Sequence, residues 1–275
     1  MGRITHSNAN TLKTSIMKKI FLTLFLAISA IAANAQQHNS ISDTDSNILK
    51  AALKGWNVRL SAGYLIGGTA PLPLPVEIRG INGFNPGLNF MIEGDAEKRF
   101  RDTGWGIRFG IRFDTKGMTT DASTKNYHME MSTPDGSKIV GSWYGNVKTH
   151  VENIYLSVPL LATYSIGERW TLSAGAYASY LLHGVFDGEA YNGYIRDQNP
   201  IGEKTEVSSA GYDFSSDIRK FQWGLQGGAE YVVYKHLAVF ANLQWGLNGI
   251  FPSDYSCVTF PLYPIYGTLG FSYLF

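Results

Sequence analysis

Charged residues are scarce in this chain of 275 residues: they make up 16% of it, against roughly 25% in an ordinary soluble domain. The 23 basic and 22 acidic residues nearly balance, which argues against the basic excess that nucleic-acid-binding proteins usually carry. Aromatic residues make up 13% of the chain, whereas disordered chains contain few aromatics and a high net charge. We therefore expect a folded protein with no nucleic-acid partner.

Long apolar runs are also missing, with one exception near the N-terminus. Residues 20–33 are almost wholly apolar, two lysines precede them, and an Ala-Asn-Ala tripeptide ends at residue 35. These three features are typical of a secretory signal peptide, and the run is shorter than the ~20 residues that a transmembrane helix needs. We predict a cleaved signal peptide over residues 1–35, with Met17 as the expected start after an upstream extension. Residues 36–55 would then form a periplasmic segment that leads into the first strand.

Cysteine is nearly absent, since Cys257 is the single one in the sequence. Export places the chain in an oxidising compartment, but one cysteine cannot form an internal disulfide. The fold must therefore be stabilised in another way, and closure of a β-barrel is one.

The chain is rich in segments in which apolar and polar residues alternate. Eight segments show it, at about residues 56–66, 88–92, 105–114, 154–166, 170–182, 221–233, 237–248 and 265–275. A period of two is that of a β-strand with one apolar face. The apolar faces often begin or end in Trp, Tyr or Phe, as the lipid-facing strands of transmembrane barrels do. A β-sandwich also alternates, but it rarely places aromatic residues so regularly at the strand ends.

The connections between these segments alternate in length. Three are short and four are long: the short ones lie at about residues 98–103, 167–169 and 235–236, and the long ones at about 67–84, 115–150, 184–218 and 250–262. Short periplasmic turns and long extracellular loops are the expected topology of an outer-membrane barrel. We predict an all-β protein in which residues 56–275 form an eight-stranded antiparallel up-and-down transmembrane β-barrel.

Several motifs follow one another along the predicted strands. Residues 155–164 read YLSVPLLATY, residues 223–231 read WGLQGGAEY, and the chain ends in GFSYLF at residues 270–275. In this order they resemble the PorT-like outer-membrane β-barrel family, which is grouped with the "porin family" proteins of Gram-negative bacteria. The resemblance implies an eight-stranded barrel in the cell outer membrane. It carries over no catalytic residue, and it implies a role in protein secretion for one branch of the family.

Six charged residues stand at positions that should face the lumen: Arg59, Glu93, Arg108, Arg112, Asp114 and Glu230. Eight strands enclose a space that side chains can fill, and buried charges are costly unless they are paired. We expect a polar network that plugs the barrel. The alternative is a charged path that lets small solutes or ions through.

The last strand ends in three aromatic residues in one register, Phe271, Tyr273 and Phe275. Side chains in this register should face the lipid. Such an aromatic ending suits the strand that the barrel-assembly machinery recognises and pairs with during biogenesis. We predict that these three residues form that signal.

The long connections 115–150 and 184–218 hold a set of aromatic residues, Tyr127, Trp143, Tyr144, Tyr191, Tyr194 and Tyr212. Surface tyrosines can bind a protein partner, although they can equally pack the loops. His183, with Asp187 and Glu189 close in sequence, could support general-base chemistry at the barrel rim. No serine motif, metal-ligand spacing or cofactor motif accompanies it.

These patterns together predict a non-enzymatic outer-membrane protein with a structural or interaction role through its extracellular loops. A small-solute channel and a component of a protein-secretion system are the first alternatives. A rim-sited hydrolase or acyltransferase is the last. We expect no cofactor and no metal.

Overall fold

The computed structural model describes residues 55–101, 103–132, 138–197, 201–253, 255, 258 and 260–275. The described residues all belong to one compact unit, Gly55–Phe275. The predicted signal peptide, residues 36–54 of the predicted periplasmic segment, and Cys257 lie outside the described residues. No helix in the described part is long and apolar enough to cross a membrane.

Strands account for most of the described residues. They are β1 (Asn57–Pro71), β2 (Ile78–Asn85), β3 (Asn89–Arg99), β4 (Trp105–Ser132), β5 (Lys138–Ile166), β6 (Trp170–Asp197), β7 (Lys204–Asp213), β8 (Phe221–Tyr234), β9 (Leu237–Gly246) and β10 (Leu262–Leu274). One turn of 3-10 helix, Ser215–Asp217, lies between β7 and β8. The strand positions agree with the eight alternating segments of the sequence and add β2 and β7.

Eight strands close into a ring in the order β1, β3, β4, β5, β6, β8, β9, β10. Every neighbouring pair is antiparallel, and β1 completes the ring by pairing with β10. At Leu60, for example, one edge of β1 lies opposite Gly94 and the other lies opposite Tyr273. The predicted eight-stranded antiparallel up-and-down barrel is confirmed.

Apolar side chains cover the outside of the ring. Exposed members on the barrel strands include Trp105, Phe109, Ile111, Leu156, Leu160, Leu172, Trp223, Leu225, Leu243, Trp245, Leu269 and Phe271. Most of the residues that alternate with them are small, polar or charged, and they point inward together with a smaller apolar group, Leu65, Met91, Phe240 and Tyr266. An apolar exterior around a polar interior is the arrangement of a barrel that lies in lipid.

The two ends of the barrel differ. At one end, which we term the turn end, residues 100–104, 167–169 and 235–236 connect neighbouring strands. The turn at residues 167–169 begins with Gly167, whose φ of +63° suits glycine. At the other end, the hairpin end, β4, β5 and β6 continue well beyond their neighbours, and β2 and β7 pair with these extensions.

The prediction that residues 115–150 and 184–218 are loops is therefore wrong for most of their length. Residues 115–132 continue β4, residues 138–150 begin β5, and residues 184–197 continue β6. These strand extensions have the composition of loops, because they contain Gly, Asn, Asp and Thr and have no row of apolar residues that faces lipid. Strand pairing and an apolar core between the hairpins stabilise these extensions in place of contact with lipid.

This apolar core lies inside the hairpin end. Its buried members include Met118, Trp143, Val147, Val151, Phe186, Ile195, Val207, Tyr212, Phe214, Ile218, Ile250, Phe251, Val258 and Leu262. Phe251 joins the segment after β9 to this core, since its ring lies 4.9 Å from Phe186 and 4.8 Å from Tyr255, centroid to centroid. The hairpin end is consequently a packed structure above the barrel.

Candidate functional site

The lumen holds a cluster of paired charges, which we term the lumen network. Its members are Arg59, Glu93, Asp95, Glu97, Arg108, Arg112, Asp114, Lys116 and Glu230, and all of them are buried. The six charges that the sequence places inward all belong to it. They come from β1, β3, β4 and β8, so that side chains from different sides of the ring meet.

Near the turn end, two arginines share three carboxylates. Arg59 Nη2 lies 2.6 Å from Asp95 Oδ1, and Arg59 Nη1 lies 2.8 Å from Glu230 Oε1 and 3.0 Å from Glu97 Oε2. Arg108 Nη2 lies 2.8 Å from the same Glu97 oxygen and 3.4 Å from Glu230 Oε1. Charge-assisted contacts of this kind are roughly twice as strong as neutral hydrogen bonds.

Arg112 occupies the middle of the lumen and is fully buried. Its Nε donates to Asp114 Oδ2 at 2.9 Å, and its Nη1 donates to Glu93 Oε2 at 3.2 Å. Gln226 and Gln244 accept from Nη1 and Nη2 at 2.6 and 3.3 Å through their Oε1 atoms. The guanidinium thus reaches side chains of β3, β8 and β9 from its position on β4.

Lys116 closes the network on the side of the hairpin end. Its Nζ lies 3.6 Å from Asp114 Oδ2. The rings of Tyr155, Tyr177 and Tyr266 surround the ammonium, with centroids 5.3, 5.1 and 5.9 Å away. A cation over aromatic faces is attracted by their quadrupoles, more so where water is excluded. These buried tyrosines form the boundary between the charged and the apolar parts of the lumen.

Sequence reasoning misses three members of the network, Asp95, Glu97 and Lys116. A signal for them exists, because Glu93, Asp95 and Glu97 alternate and would share one face if the weak second segment continued past Ile92. Lys116 follows the last predicted charge of β4 by two residues. In the structure β3 runs to Arg99, Asp95 and Glu97 pair with the arginines, and Lys116 pairs with Asp114.

Almost no free space remains beside three members of the network. The cavity beside Glu93, Asp95 and Arg108 has a volume of about 10 Å³. A single water molecule needs about 10–15 Å³. Paired charges in a filled space can hold opposite walls together and fix the strand register, whereas they offer no room for a solute.

Three of the six aromatic residues in the long connections pack inside the hairpin end. Trp143 is fully buried, the Tyr212 ring lies 5.2 Å from Phe214, and Tyr127 stacks on Phe260 at 5.6 Å. Burial raises the pKa of the Tyr212 hydroxyl above its ordinary value. These three residues stabilise the hairpins and present little surface to a partner.

The other three tyrosines lie on the outside of the same hairpins. Tyr144 on β5 and Tyr194 on β6 are directly opposite each other and stack with centroids 4.9 Å apart and planes at 8°. Lys204 Nζ lies 4.3 Å from the centroid of the Tyr194 ring. We term this surface the outer tyrosine face; it consists of Tyr144, Tyr191, Tyr194, Arg196 and Lys204.

His183 is exposed on β6, beside a register shift of the β5–β6 ladder. In the β5–β6 ladder Asp187 lies opposite His150, and Glu189 lies opposite Lys148. No group of three or more His, Cys, Asp or Glu residues in the described part of the chain is arranged to hold a metal ion.

The three aromatic residues of the predicted assembly signal lie on the outer surface at the end of β10. Phe271, Tyr273 and Phe275 are 63%, 48% and 64% exposed. The Tyr273 and Phe275 rings meet edge to face with centroids 5.0 Å apart, and the Phe275 amide donates to the Val58 carbonyl at 3.1 Å. The outward register is as predicted, while recognition by the assembly machinery stays a prediction.

Comparison with known proteins gives a family and several distant structures. The family model described as "Outer membrane protein beta-barrel domain" matches residues 34–252. Ail, the attachment invasion locus protein of Yersinia pestis, solved with the heparin analogue sucrose octasulfate, has 13% identity and a TM-score of 0.38, over 80% of this chain and 99% of its own. A comparison with curated protein sequences finds no significant match.

Two further solved structures have similar coverage. Neisserial surface protein A has 11% identity and a TM-score of 0.32, over 80% of this chain and 97% of its own. The outer membrane protease OmpT from Escherichia coli has 14% identity and a TM-score of 0.30, over 80% of this chain and 96% of its own.

Proposed function

The chain belongs to the outer membrane protein beta-barrel domain family, and we propose that it is a closed, non-enzymatic barrel that binds a protein partner through its hairpin end. In this proposal the turn end faces the periplasm and the hairpin end faces away from the cell. The filled lumen is the observation that carries the proposal. With the lumen filled, the folded hairpin end is the part of the molecule that we expect to bind another macromolecule.

The lumen network supports the closed state against the alternative of a small-solute channel. Arg59 and Arg108 reach carboxylates of β3 and β8, and Arg112 reaches β3, β8 and β9. Conduction would require these contacts to break and the freed charges to stay in a narrow space, which is costly. A solute path through this interior is therefore disfavoured.

The outer tyrosine face is the part of the hairpin end that we assign to the partner. Tyrosine and arginine are the residue types that dominate binding energy at protein interfaces. Tyr144 and Tyr194 are held by their mutual stacking, so that little side-chain entropy would be lost on binding. By contrast, the buried Trp143 and Tyr212 stabilise the hairpins and are not available to a partner.

Site-specific photo-crosslinking in intact cells tests this proposal. A photoreactive amino acid at position 194 should give a discrete crosslinked protein species, and one at Ala174, which faces the lipid, should not. Tyr144→Ser should remove the species while the barrel keeps its level in the membrane. Identical crosslinking from positions 194 and 174, or no species from position 194, would contradict the proposal.

Deletion of the gene separates this role from a role in protein secretion. A barrel that binds a surface partner predicts unchanged export of other proteins. General loss of export in the deletion strain would favour the secretion alternative that the family resemblance raises.

A further inference from the structure

The hydrogen-bonded wall of the barrel is interrupted at one place near the hairpin end. Strand β3 begins at Asn89, so that β1 pairs with it only up to Leu65. Beyond that point β2 takes the place beside β4, but no ladder joins β2 to β1 in the described part of the chain. Residues 66–71 of β1 therefore have a partner strand, β10, on one side only.

The backbone along this edge lacks its usual acceptors. The Thr69 amide donates to the Met118 sulphur at 3.2 Å, and a thioether is a weak acceptor. Gly68 allows the close approach: a Cβ added there would lie 2.8 Å from the Met118 sulphur and 3.2 Å from the Phe84 ring. Pro71 has no amide hydrogen to satisfy, which suits an unpaired edge.

An apolar cavity of about 340 Å³ lies behind this gap. Its walls include β1 residues 67–71, Ile78, Ile81 and Phe84 of β2, and Ile265 of β10. The interior wall comes from β4, where the inward register changes from charged residues to Met118, Thr120, Ala122 and Thr124. The lumen is thus charged up to Lys116 and apolar beyond it.

The size and shape of the cavity suit one unbranched hydrocarbon chain. An apolar cavity of about 150 Å³ holds a benzene molecule, so this one has room for a larger ligand. Its wall on β4 spans Met118 to Thr124, about 20 Å along a strand. A cavity of this volume and length has a narrow cross-section. Such a cross-section favours a single extended chain over a fused ring system or the two chains of a phospholipid.

The gap connects the cavity to the apolar outer surface. Ile81 and Phe84 line the cavity and are more than half exposed, as is Leu74 in the segment before β2. A chain dissolved in the membrane could enter there without crossing water. Arg79 and Lys125 are exposed and adjoin the wall residues Ile78 and Thr124 in sequence, so an acidic head group that stays outside the cavity would lie near cationic side chains.

We propose that this cavity binds the acyl chain of a free fatty acid that enters sideways from the membrane through the gap between β1 and β2. The site is separate from the outer tyrosine face and from the lumen network. Binding involves no covalent step, and the ligand is held by burial of its chain.

The full-length protein, reconstituted in lipid nanodiscs, can be tested with palmitic acid that carries a diazirine on its chain. Irradiation and trypsin digestion should place label on the peptide 117–125, which contains the β4 wall of the cavity. Peptide 221–235 faces the lipid, so its label measures non-specific reaction with palmitic acid dissolved in the surrounding membrane. Excess unlabelled palmitic acid should remove the label from the first peptide and leave that on the second.

Two variants obstruct the site in different ways. Ala122→Phe fills the cavity, and Gly68→Leu adds a side chain against Met118 and Phe84 where β1 and β2 meet, so either should abolish the competable label on peptide 117–125. Ala174→Phe, on the lipid face, should leave it unchanged. Folding of each variant is checked by heat-modifiable migration, and a variant that misfolds is replaced by the other.

Label on peptide 117–125 that palmitic acid cannot compete away, or that persists in both folded variants, would overturn the proposal. A diazirine-bearing phospholipid distinguishes the sources of the chain. Competable labelling by the phospholipid and none by the free acid would also overturn it, because the cavity would then take a chain of a membrane lipid.

Discussion

Arg59 on β1 and Glu230 on β8 meet across the lumen: Nη1 and Oε1 are 2.8 Å apart, although 171 residues separate them along the chain. Their strands are not neighbours in the ring, since β10 and β9 lie between them. The pair therefore links two sides of the barrel directly. Arg112 does the same from β4 through Gln226 and Gln244.

Removal of the central cation should be strongly destabilising. Arg112→Ala leaves Asp114 and Glu93 buried without their main partner, and breaking a buried pair in this way costs about 3–5 kcal/mol. The free energy of unfolding, measured by urea denaturation in lipid vesicles, should fall by that amount. Arg99→Ala is the matched control, because the Arg99 side chain is 48% exposed and its partner Glu97 keeps Arg59 and Arg108. Its loss should cost about 1 kcal/mol or less. Equal losses in the two variants would contradict a tightly paired network.

A charge on the outer surface should also be costly, for a different reason. Leu225 is 51% exposed near the middle of β8, where the outer surface meets lipid. Leu225→Arg should lower the unfolding free energy in vesicles by about 2–4 kcal/mol, the cost of an arginine near the bilayer midplane. Leu225→Met, which keeps the apolar character, should cost less than about 1.5 kcal/mol. If both variants had the same stability, this surface would not face lipid.

The stacked tyrosines of the hairpin end should be coupled. A double-mutant cycle on Tyr144→Ala and Tyr194→Ala should give an interaction energy of about 0.5–1.5 kcal/mol, as aromatic pairs do. The same cycle on Tyr144→Ala and Tyr231→Ala should give none, because Tyr231 pairs with Trp170 near the turn end. Unfolding in vesicles provides both values. No coupling between Tyr144 and Tyr194 would mean that the stack does not order this surface.

The end of β10 should matter for assembly more than for stability. Phe275→Ser should reduce the amount of protein in the outer membrane if Phe271, Tyr273 and Phe275 form the predicted recognition signal. The refolded, purified variant should still show heat-modifiable migration in a detergent gel. Leu269→Ser, exposed on the same strand, is the control and should keep a higher level in cells. Equal levels of the two variants would count against the signal.

The barrel can be predicted from the sequence because lipid imposes a strict period of two on every strand that it touches. Trp170 to Leu182 and Leu237 to Leu247 show this period without interruption, and the structure places β6 and β9 there. The inward charges follow from the same register. Asp95 and Glu97 escape prediction only because β3 has a weak apolar face.

The hairpin end cannot be predicted in this way, since no lipid selects for alternation there. Nothing in the sequence separates Tyr212, which is buried, from Tyr194, which lies on the outer face, because pairing between distant strands decides their orientation. The gap beside residues 66–71 likewise depends on where β3 begins, at Asn89, relative to the length of β4. These features follow from unequal strand lengths in the closed ring.

Conductance across a planar lipid bilayer tests the closed lumen most directly. Purified, refolded protein should insert and leave the membrane without steady conductance, because the lumen network fills the interior around Arg59, Arg108 and Arg112. An open porin recorded under the same conditions shows that insertion and detection work. Steady, large single-channel conductance from the wild-type protein would contradict the closed barrel and would favour the small-solute channel.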